Sequence, residues 1–301
     1  MSSSHFDRGA TVIDYFEDLD ATVRHALAED LGGGDLTAAL VPATRQASAR
    51  VVARETAVLC GTRWFDAVYA ALDDQIHVQW HFKDGAALSP DALMCEIKGN
   101  ARALVSGERT ALNFLQTLSG TATVTARYVA QLAGTQTRLL DTRKTIPGLR
   151  RAQKYAVKCG GGYNHRAGLY DGILVKENHI SAAGGITQAL QGVRTRGVMV
   201  PIEVEVEHCA QIEEAITAGA DMLLLDNFCL ADLKLAVTLA HGRVPLEASG
   251  GFGYDDLRAV AATGVDYVSV GALTKHLRAV DFSMRITRAE GAGVTPTARS
   301  V

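Results

Sequence analysis

Apolar residues recur every three or four positions over 11–31, where Ile13, Phe16, Leu19, Val23 and Leu27 share one side of a helix. The next stretch has a different rhythm. Arg50–Val52, Ala57–Leu59, Ile76–Phe82 and Leu93–Ile97 read as strands around one helix near Trp64–Leu72. Strand and helix do not alternate regularly there, so an α+β layer is expected. From Glu108 to Ala133 the pattern is helical again, with a break expected at Ser119-Gly120.

Beyond Gly134 short apolar runs alternate with helical segments: Leu139-Leu140, Ile173–Val175, Ile202–Val206, Met222–Leu225, Pro245–Ala248 and Tyr267–Val270. The last four start about every 22 residues. That spacing implies a parallel sheet with right-handed crossovers. A full eightfold barrel takes about 250 residues, and only about 165 are available here. The expected architecture is therefore α/β, an N-terminal α+β sandwich over 1–112 and a shortened or open β/α barrel over 113–280. The segment from Asp281 has no strand partner within the barrel and is expected to complete the first domain.

The composition is globular, with 48% hydrophobic and 21% charged residues in 301. A net charge of −3 and a pI near 6.3 argue against a general nucleic-acid binder. No stretch approaches the ~18 uninterrupted apolar residues of a membrane span, and Met1–Arg8 lacks the apolar core of a secretory signal. Five cysteines without a Cys-x-x-Cys pair fit reduced thiols in a cytoplasmic protein, not a zinc or disulfide framework.

Local charge changes this picture. Arg138–Tyr170 holds eight Lys or Arg and one acid, Asp141, whereas Ile202–Asp232 holds eight acids and no Lys or Arg. Two solvated faces would give the same counts. However, several of these residues directly follow strand-like runs: Asp141-Thr142-Arg143-Lys144, Lys176-Glu177-Asn178, Glu205, Asp226-Asn227, Ser249-Gly250-Gly251 and Gly271. In a β/α barrel the chemistry lies at the carboxyl ends of strands. A mouth with cations on one side and carboxylates on the other suits a polyanion handled with a metal.

On the cationic side, Arg143, Lys144, His165, Arg166 and Lys176 would hold an anion carrying more than one carboxylate. For Arg150, Arg151, Lys154 and Lys158 a solvated helix face is the preferred reading. On the acidic side, Glu203, Glu205 and Glu207 alternate along one strand face. Glu203 and Glu207 have a structural explanation as partners of barrel-lining Lys or Arg. Glu205 and Asp226 are the candidate ligands for Mg²⁺, directly or through water, and for ribose hydroxyls. Ser249, Gly250, Gly251 and the turn Val270-Gly271-Ala272 are small enough for a phosphate to approach the backbone, in the loops where barrels commonly bind it. Lys275 and His276 lie just beyond.

These residues resemble a known family, quinolinate phosphoribosyltransferase. The resemblance spans nearly the whole chain. It includes Glu29-Asp30-Leu31-Gly32 with Gly34-Asp35-Leu36-Thr37, then Gly107-Glu108-Arg109-Thr110-Ala111-Leu112-Asn113. Its most specific element is Asp141-Thr142-Arg143-Lys144-Thr145-x-Pro147-Gly148-Leu149-Arg150, followed by Gly160-Gly161-Gly162-Tyr163-Asn164-His165-Arg166 and Lys176-Glu177-Asn178-His179. The resemblance implies a homodimer in which Arg109 reaches the site of the partner subunit. It implies that Arg109, Thr142, Arg143, Lys144, His165, Arg166 and Lys176 contact a pyridine dicarboxylate, with Lys144, Glu205 and Asp226 as the catalytic groups. It implies Mg²⁺ and no organic cofactor, and phosphate held by Ser249–Gly251, Val270–Ala272 and Lys275 or His276. The implied reaction joins quinolinate to phosphoribosyl pyrophosphate, with loss of pyrophosphate and CO₂. Three other readings compete: a paralogous phosphoribosyltransferase for another pyridine carboxylate, a Schiff-base aldolase using Lys176, and an anion-binding protein without catalysis.

Overall fold

The computed structural model describes residues 13–197 and 199–290. They form two compact units, one over 16–123 and 278–290, the other over 13–15 and 124–277.

The first unit begins with α1 (Leu19–Leu31), which buries Val23 and Leu27. It continues through β1 (Gln46–Ala53), β2 (Ala57–Val58), α2 (Thr62–Leu72), β3 (His77–Trp80), β4 (Ala87–Leu88) and β5 (Leu93–Asn100). Every second residue of β1 is buried, the period of a strand with one face on a core. β5 pairs antiparallel with β1 and with β3, and β2 pairs antiparallel with β4, a strand too short to leave a sequence pattern. α3 (Ala101–Gln131) follows; its residues 101–123 belong to this unit and 124–131 to the other. The expected domain boundary at 112/113 therefore falls inside a continuous helix.

The second unit alternates strands and helices: β6 (Arg138–Leu140), α4 (Arg150–Cys159), β7 (Ile173–Val175), α5 (Glu177–Ala183), α6 (Ile186–Arg194), β8 (Ile202–Val206), α7 (Ala210–Thr217), β9 (Met222–Asp226), α8 (Leu230–Ala240), β10 (Leu246–Ser249), α9 (Leu257–Ala261), β11 (Tyr267–Ser269) and α10 (Ala272–Lys275). Its six strands form one parallel sheet in the order β6-β11-β10-β9-β8-β7. The terminal strands β6 and β7 do not pair with each other, so the β/α barrel is open.

The register gives this sheet two unlike faces. Leu224, Glu247 and Tyr267 are cross-strand partners, as are Asp226 and Ser249, and neighbours in register share a face. The outer face carries Val175, Val204, Val206, Leu223, Leu225, Leu246, Ala248 and Val268, in one core with Leu190, Ile212, Leu233 and Val260 from the helices. The inner face carries Glu203, Glu205, Asp226, Glu247, Ser249 and Ser269. Parallel sheets covered on both sides are ordinarily apolar throughout. Here the polarity is confined to one side.

The last strand, β12 (Phe282–Glu290), belongs to the first unit and pairs antiparallel with β1, from Gln46↔Glu290 to Ala53↔Phe282. The first sheet thus has the order β12-β1-β5-β3. The same unit explains why α3 is unbroken at Ser119-Gly120. The Ser119 hydroxyl accepts the Cys60 N–H at 2.9 Å and donates to the Cys60 carbonyl at 3.1 Å. A Cβ on Gly120 would lie 2.3 Å from the Arg278 carbonyl oxygen. Both residues serve close packing of backbone on the helix, not termination of it.

Candidate active site

The loop after β6 is fastened before it presents any charge. Gln153 on α4 accepts the Ile146 N–H at 2.8 Å and donates to the Thr274 carbonyl at 2.8 Å. Thr274 in turn donates to the Lys144 carbonyl at 2.8 Å. Arg150 donates to Thr145 Oγ1 and to the Ala167 carbonyl, both at 3.1 Å, tying this loop to the one before β7. Thr142 Oγ1 accepts the Lys144 N–H at 3.0 Å. Arg143 and Lys144 are left exposed on this frame. The Lys144 side chain runs over Gly271, where a Cβ would lie 2.8 Å from its Cδ.

Behind the loop is a buried ion pair. Lys154 Nζ lies 2.5 Å from Asp141 Oδ1, with both side chains fully buried. This corrects the expectation of a solvated Lys154. The pair clamps the main chain of His165: Asp141 Oδ1 accepts its N–H at 2.9 Å, and Lys154 donates to its carbonyl at 2.8 Å. Asn164 donates to Asp141 Oδ2 at 2.6 Å and accepts from the Tyr15 hydroxyl at 2.7 Å. Arg150, as noted, knits loops, Arg151 donates to the Asp14 carbonyl at 2.7 Å, and Lys158 Nζ stands 4.4 Å from the Tyr163 ring centroid.

His165 does not offer a free ring nitrogen to the mouth. It is buried, its Nε2 is 2.8 Å from Glu203 Oε2, and its Nδ1 accepts the Arg166 N–H at 2.8 Å. Glu203 therefore pairs with a histidine, not with the Lys or Arg expected for it. Burial disfavours the imidazolium, but Glu203 and Glu247 favour it and the balance raises the pKa; the Arg166 amide opposite Nδ1 opposes a second ring proton. Arg166 donates to the Gly172 carbonyl at 3.0 Å, and burial and the Arg143 guanidinium lower its pKa. Two guanidinium groups close enough to oppose each other's charge call for an anion.

The acidic edge begins at Lys176, whose Nζ is 2.5 Å from Glu205 Oε2. Burial raises the Glu205 pKa against the pull of Lys176, and Asp226 pushes it the same way as burial. Asp226 ends β9 half-buried, and its Oδ2 accepts the Asn227 side-chain amide at 2.7 Å. Asn227 has φ 56°, and its N–H donates to the Ser249 carbonyl at 2.9 Å. Gly250, at φ 107°, is obligatory: a Cβ there would lie 2.3 Å from Asn227 Oδ1. Glu207 lies beyond the end of β8 and is exposed.

The second unit thus brings Thr142, Arg143, Lys144, His165, Arg166, Lys176, Glu205, Asp226, Ser249–Gly251 and Gly271 to one end of one sheet. Lys275 and His276 are exposed at the end of α10, and Val270 and Ala272 flank Gly271. Arg109 is exposed on α3, in the first unit. The sequence reading missed Lys154 and Glu247. Glu247 carried a weaker form of the signal at Glu203, a single acid in an alternating strand (Leu-Glu-Ala-Ser) where β8 has a run of them.

Family models match both units: the quinolinate phosphoribosyl transferase N-terminal domain over 35–119 and the C-terminal domain over 121–285. The chain belongs to the quinolinate phosphoribosyl transferase family. A relative from Bacillus subtilis, described as a probable nicotinate-nucleotide pyrophosphorylase (carboxylating), is 42% identical over 270 residues, 89% of this chain and 93% of its own. The nicotinate-nucleotide pyrophosphorylase (carboxylating) of Mycobacterium leprae is 41% identical over 273 residues, 87% of this chain and 95% of its own. Among solved structures of the family, the nicotinate-nucleotide pyrophosphorylase of Francisella tularensis superposes with a TM-score of 0.87 at 44% identity, covering 93% of this chain and 99% of that one.

Proposed function

We propose that the protein transfers a phosphoribosyl group from phosphoribosyl pyrophosphate to quinolinate with decarboxylation, giving nicotinate mononucleotide, pyrophosphate and CO₂. The observation that carries this reading is the convergence of Arg143, Arg166, Lys144 and Lys176 on the mouth that Glu205 and Asp226 border, in a member of this family. Two carboxylates on one ring account for that many cations better than one does. Arg166 and Arg143 bind the dicarboxylate, and Lys144 bridges it to the Gly271 turn, where phosphate is received together with Ser249–Gly251.

The pyridine nitrogen donates its electron pair to the anomeric carbon as the bond to pyrophosphate breaks. Positive charge grows on the sugar, and the Glu205 carboxylate stabilises it. The ring nitrogen is cationic after transfer, and its charge stabilises the electron pair left on the adjacent ring carbon when the carboxylate there leaves as CO₂; a proton then adds at that carbon. Binding fixes two mutually repelling anions in reach of each other. Glu205 and Asp226 fit Mg²⁺, since both offer hard oxygen donors from adjacent strand ends. When bound, Mg²⁺ supplies charge neutralisation for the pyrophosphate. We infer further that the enzyme is a cytoplasmic homodimer in which Arg109 completes the partner's site. Among the described residues no helix is long and apolar enough to cross a membrane.

A Schiff-base role for Lys176 is disfavoured because its Nζ is held in an ion pair with Glu205, not in the apolar pocket that activates an amine. The test is direct: protein incubated with quinolinate, phosphoribosyl pyrophosphate and Mg²⁺ releases CO₂ and the mononucleotide in equal amounts. Turnover with nicotinate but not quinolinate would favour the paralogous reading.

A further inference from the structure

Inside the barrel, below the mouth, three buried groups meet: His165, Glu203 and Glu247, whose side-chain donor and acceptor atoms all lie within 4.8 Å of one another. Such a trio resembles a metal site. The hydrogen bond from the Arg166 N–H to Nδ1 points elsewhere. A neutral imidazole that accepts at Nδ1 carries its hydrogen on Nε2, which leaves no lone pair there for an ion. The Nε2 hydrogen goes to Glu203 Oε2. Glu247 Oε2 is 3.6 Å from the same nitrogen, and neither Glu247 oxygen nor Glu203 Oε1 has a hydrogen-bond partner among the described residues.

The charges do not balance. Two carboxylates are buried here, and even a charged imidazole would offset one of them. Lys154, on the far side of His165, is already taken by Asp141. Among the described residues, the cross-strand neighbours of Glu247 are Leu224 on β9 and Tyr267 on β11, and Ser269 on β11 favours its ionised form; none of the three is cationic. A buried carboxylate without a cation takes up a proton instead of paying its desolvation cost.

We propose that Glu203 and Glu247 are positioning residues for the dicarboxylate-binding arginine: Glu203 holds His165 in the tautomer that fixes the Arg166 main chain, and Glu247 stands beside it as an un-ionised carboxylic acid. The role of Arg166 rests on the function proposed above. The proton on Glu247 turns one of several unpartnered acceptors into a donor and leaves Glu203 free to accept from His165. Burial and the neighbouring Glu203 push the Glu247 pKa up to about 8, against the pull of His165.

Two independent measurements test this. The first is quinolinate binding by calorimetry. Glu203→Leu weakens it about ten- to a hundredfold, the size of loss seen when the carboxylate that orients a metal-bound imidazole is removed, with phosphoribosyl pyrophosphate affinity unchanged. Glu203→Gln keeps an acceptor oxygen and restores most of the affinity, and Glu247→Gln binds like the wild type. A folded Glu203→Leu variant with wild-type quinolinate affinity overturns the positioning role. So does a Glu203→Gln variant that binds as poorly as a purely structural lesion would, with both substrates affected.

The second is thermal stability against pH, which needs no substrate. The folded pKa of Glu247 lies above its unfolded value, so its contribution is complete below about 4.5 and is lost as pH rises through about 8. The wild type loses stability over that window relative to Glu247→Gln. Parallel pH profiles for the two proteins show an ionised Glu247 and end the proposal. A wild type that binds no quinolinate sinks the proposed function while the pH comparison still decides Glu247.

Discussion

Two lysines of the parallel-sheet unit lie at the same distance from a carboxylate and do opposite work. Lys154 and Lys176 each place Nζ 2.5 Å from an acidic oxygen, of Asp141 and Glu205 respectively. The Lys154 pair is fully buried on both sides, whereas the Lys176 side chain is 45% exposed. Asp141 and Lys154 are also saturated by other bonds, to the His165 main chain and to Asn164. Lys176 makes no comparable bond with its ammonium beyond Glu205 among those described. The first pair is a frame that cannot be exchanged for a ligand. Under the proposed function, the second is a placeholder at the mouth that opens when the anion arrives. Distance alone does not separate them; burial and saturation do.

The sharpest way to break this contrast is Lys154→Met. It leaves the Asp141 carboxylate buried without its cation and removes the donor to the His165 carbonyl. Losing one partner of a buried pair costs about 3–5 kcal/mol, and denaturant unfolding should show a loss of that size. The double variant Lys154→Met with Asp141→Asn should recover part of it, because no buried charge remains. A single variant within about 1 kcal/mol of wild type would mean that Lys154 is the surface residue its charge pattern implies.

That misreading shows how far the sequence reaches. Alternation of acid and aliphatic residues in Ile202–Val206 marked the polar inner face, and the polar residues after the strands fall at one end of the sheet, although Asp141, the first of them, turns inward to Lys154. Those signals survive because strand side chains alternate by geometry and loops end at the same rim. Lys154 was illegible for a different reason. On α4 it shares a stripe with Val157, but it stands among three other basic residues, and composition gave no sign that Asp141 would fold back onto it. Ser119-Gly120 misled in the same manner: a helix-breaking pair is also a close-packing pair, and only the chain that arrives, Arg278, decides between them. Long-range partners were the missing quantity in each case.

At the mouth the expected effect is smaller and falls on binding. Arg143 is exposed, and Arg143→Ala leaves the fold intact while removing one charge-assisted contact, worth about 1.5–3 kcal/mol. Quinolinate affinity should fall about ten- to a hundredfold. Because Arg143 also lowers the pKa of Arg166 through repulsion, its loss relaxes that neighbour, so the combined Arg143→Ala, Arg166→Ala variant should lose less than the two single losses added. Strict additivity would place the two guanidinium groups on separate anions.

The smallest effect belongs to the exchangeable pair, and it is informative for that reason. Lys176→Gln removes the partner of Glu205 from a position where solvent already screens the lysine, so unfolding stability should change by no more than about 1 kcal/mol. Quinolinate binding, by contrast, should weaken, since the ammonium is spent on the ligand once Glu205 is released. The two readouts must therefore diverge. If stability falls as far as in Lys154→Met, Lys176 is a second frame and its pairing with Glu205 persists in the working enzyme. If neither stability nor binding moves, Lys176 faces no anion, and the cationic edge ends at Arg166.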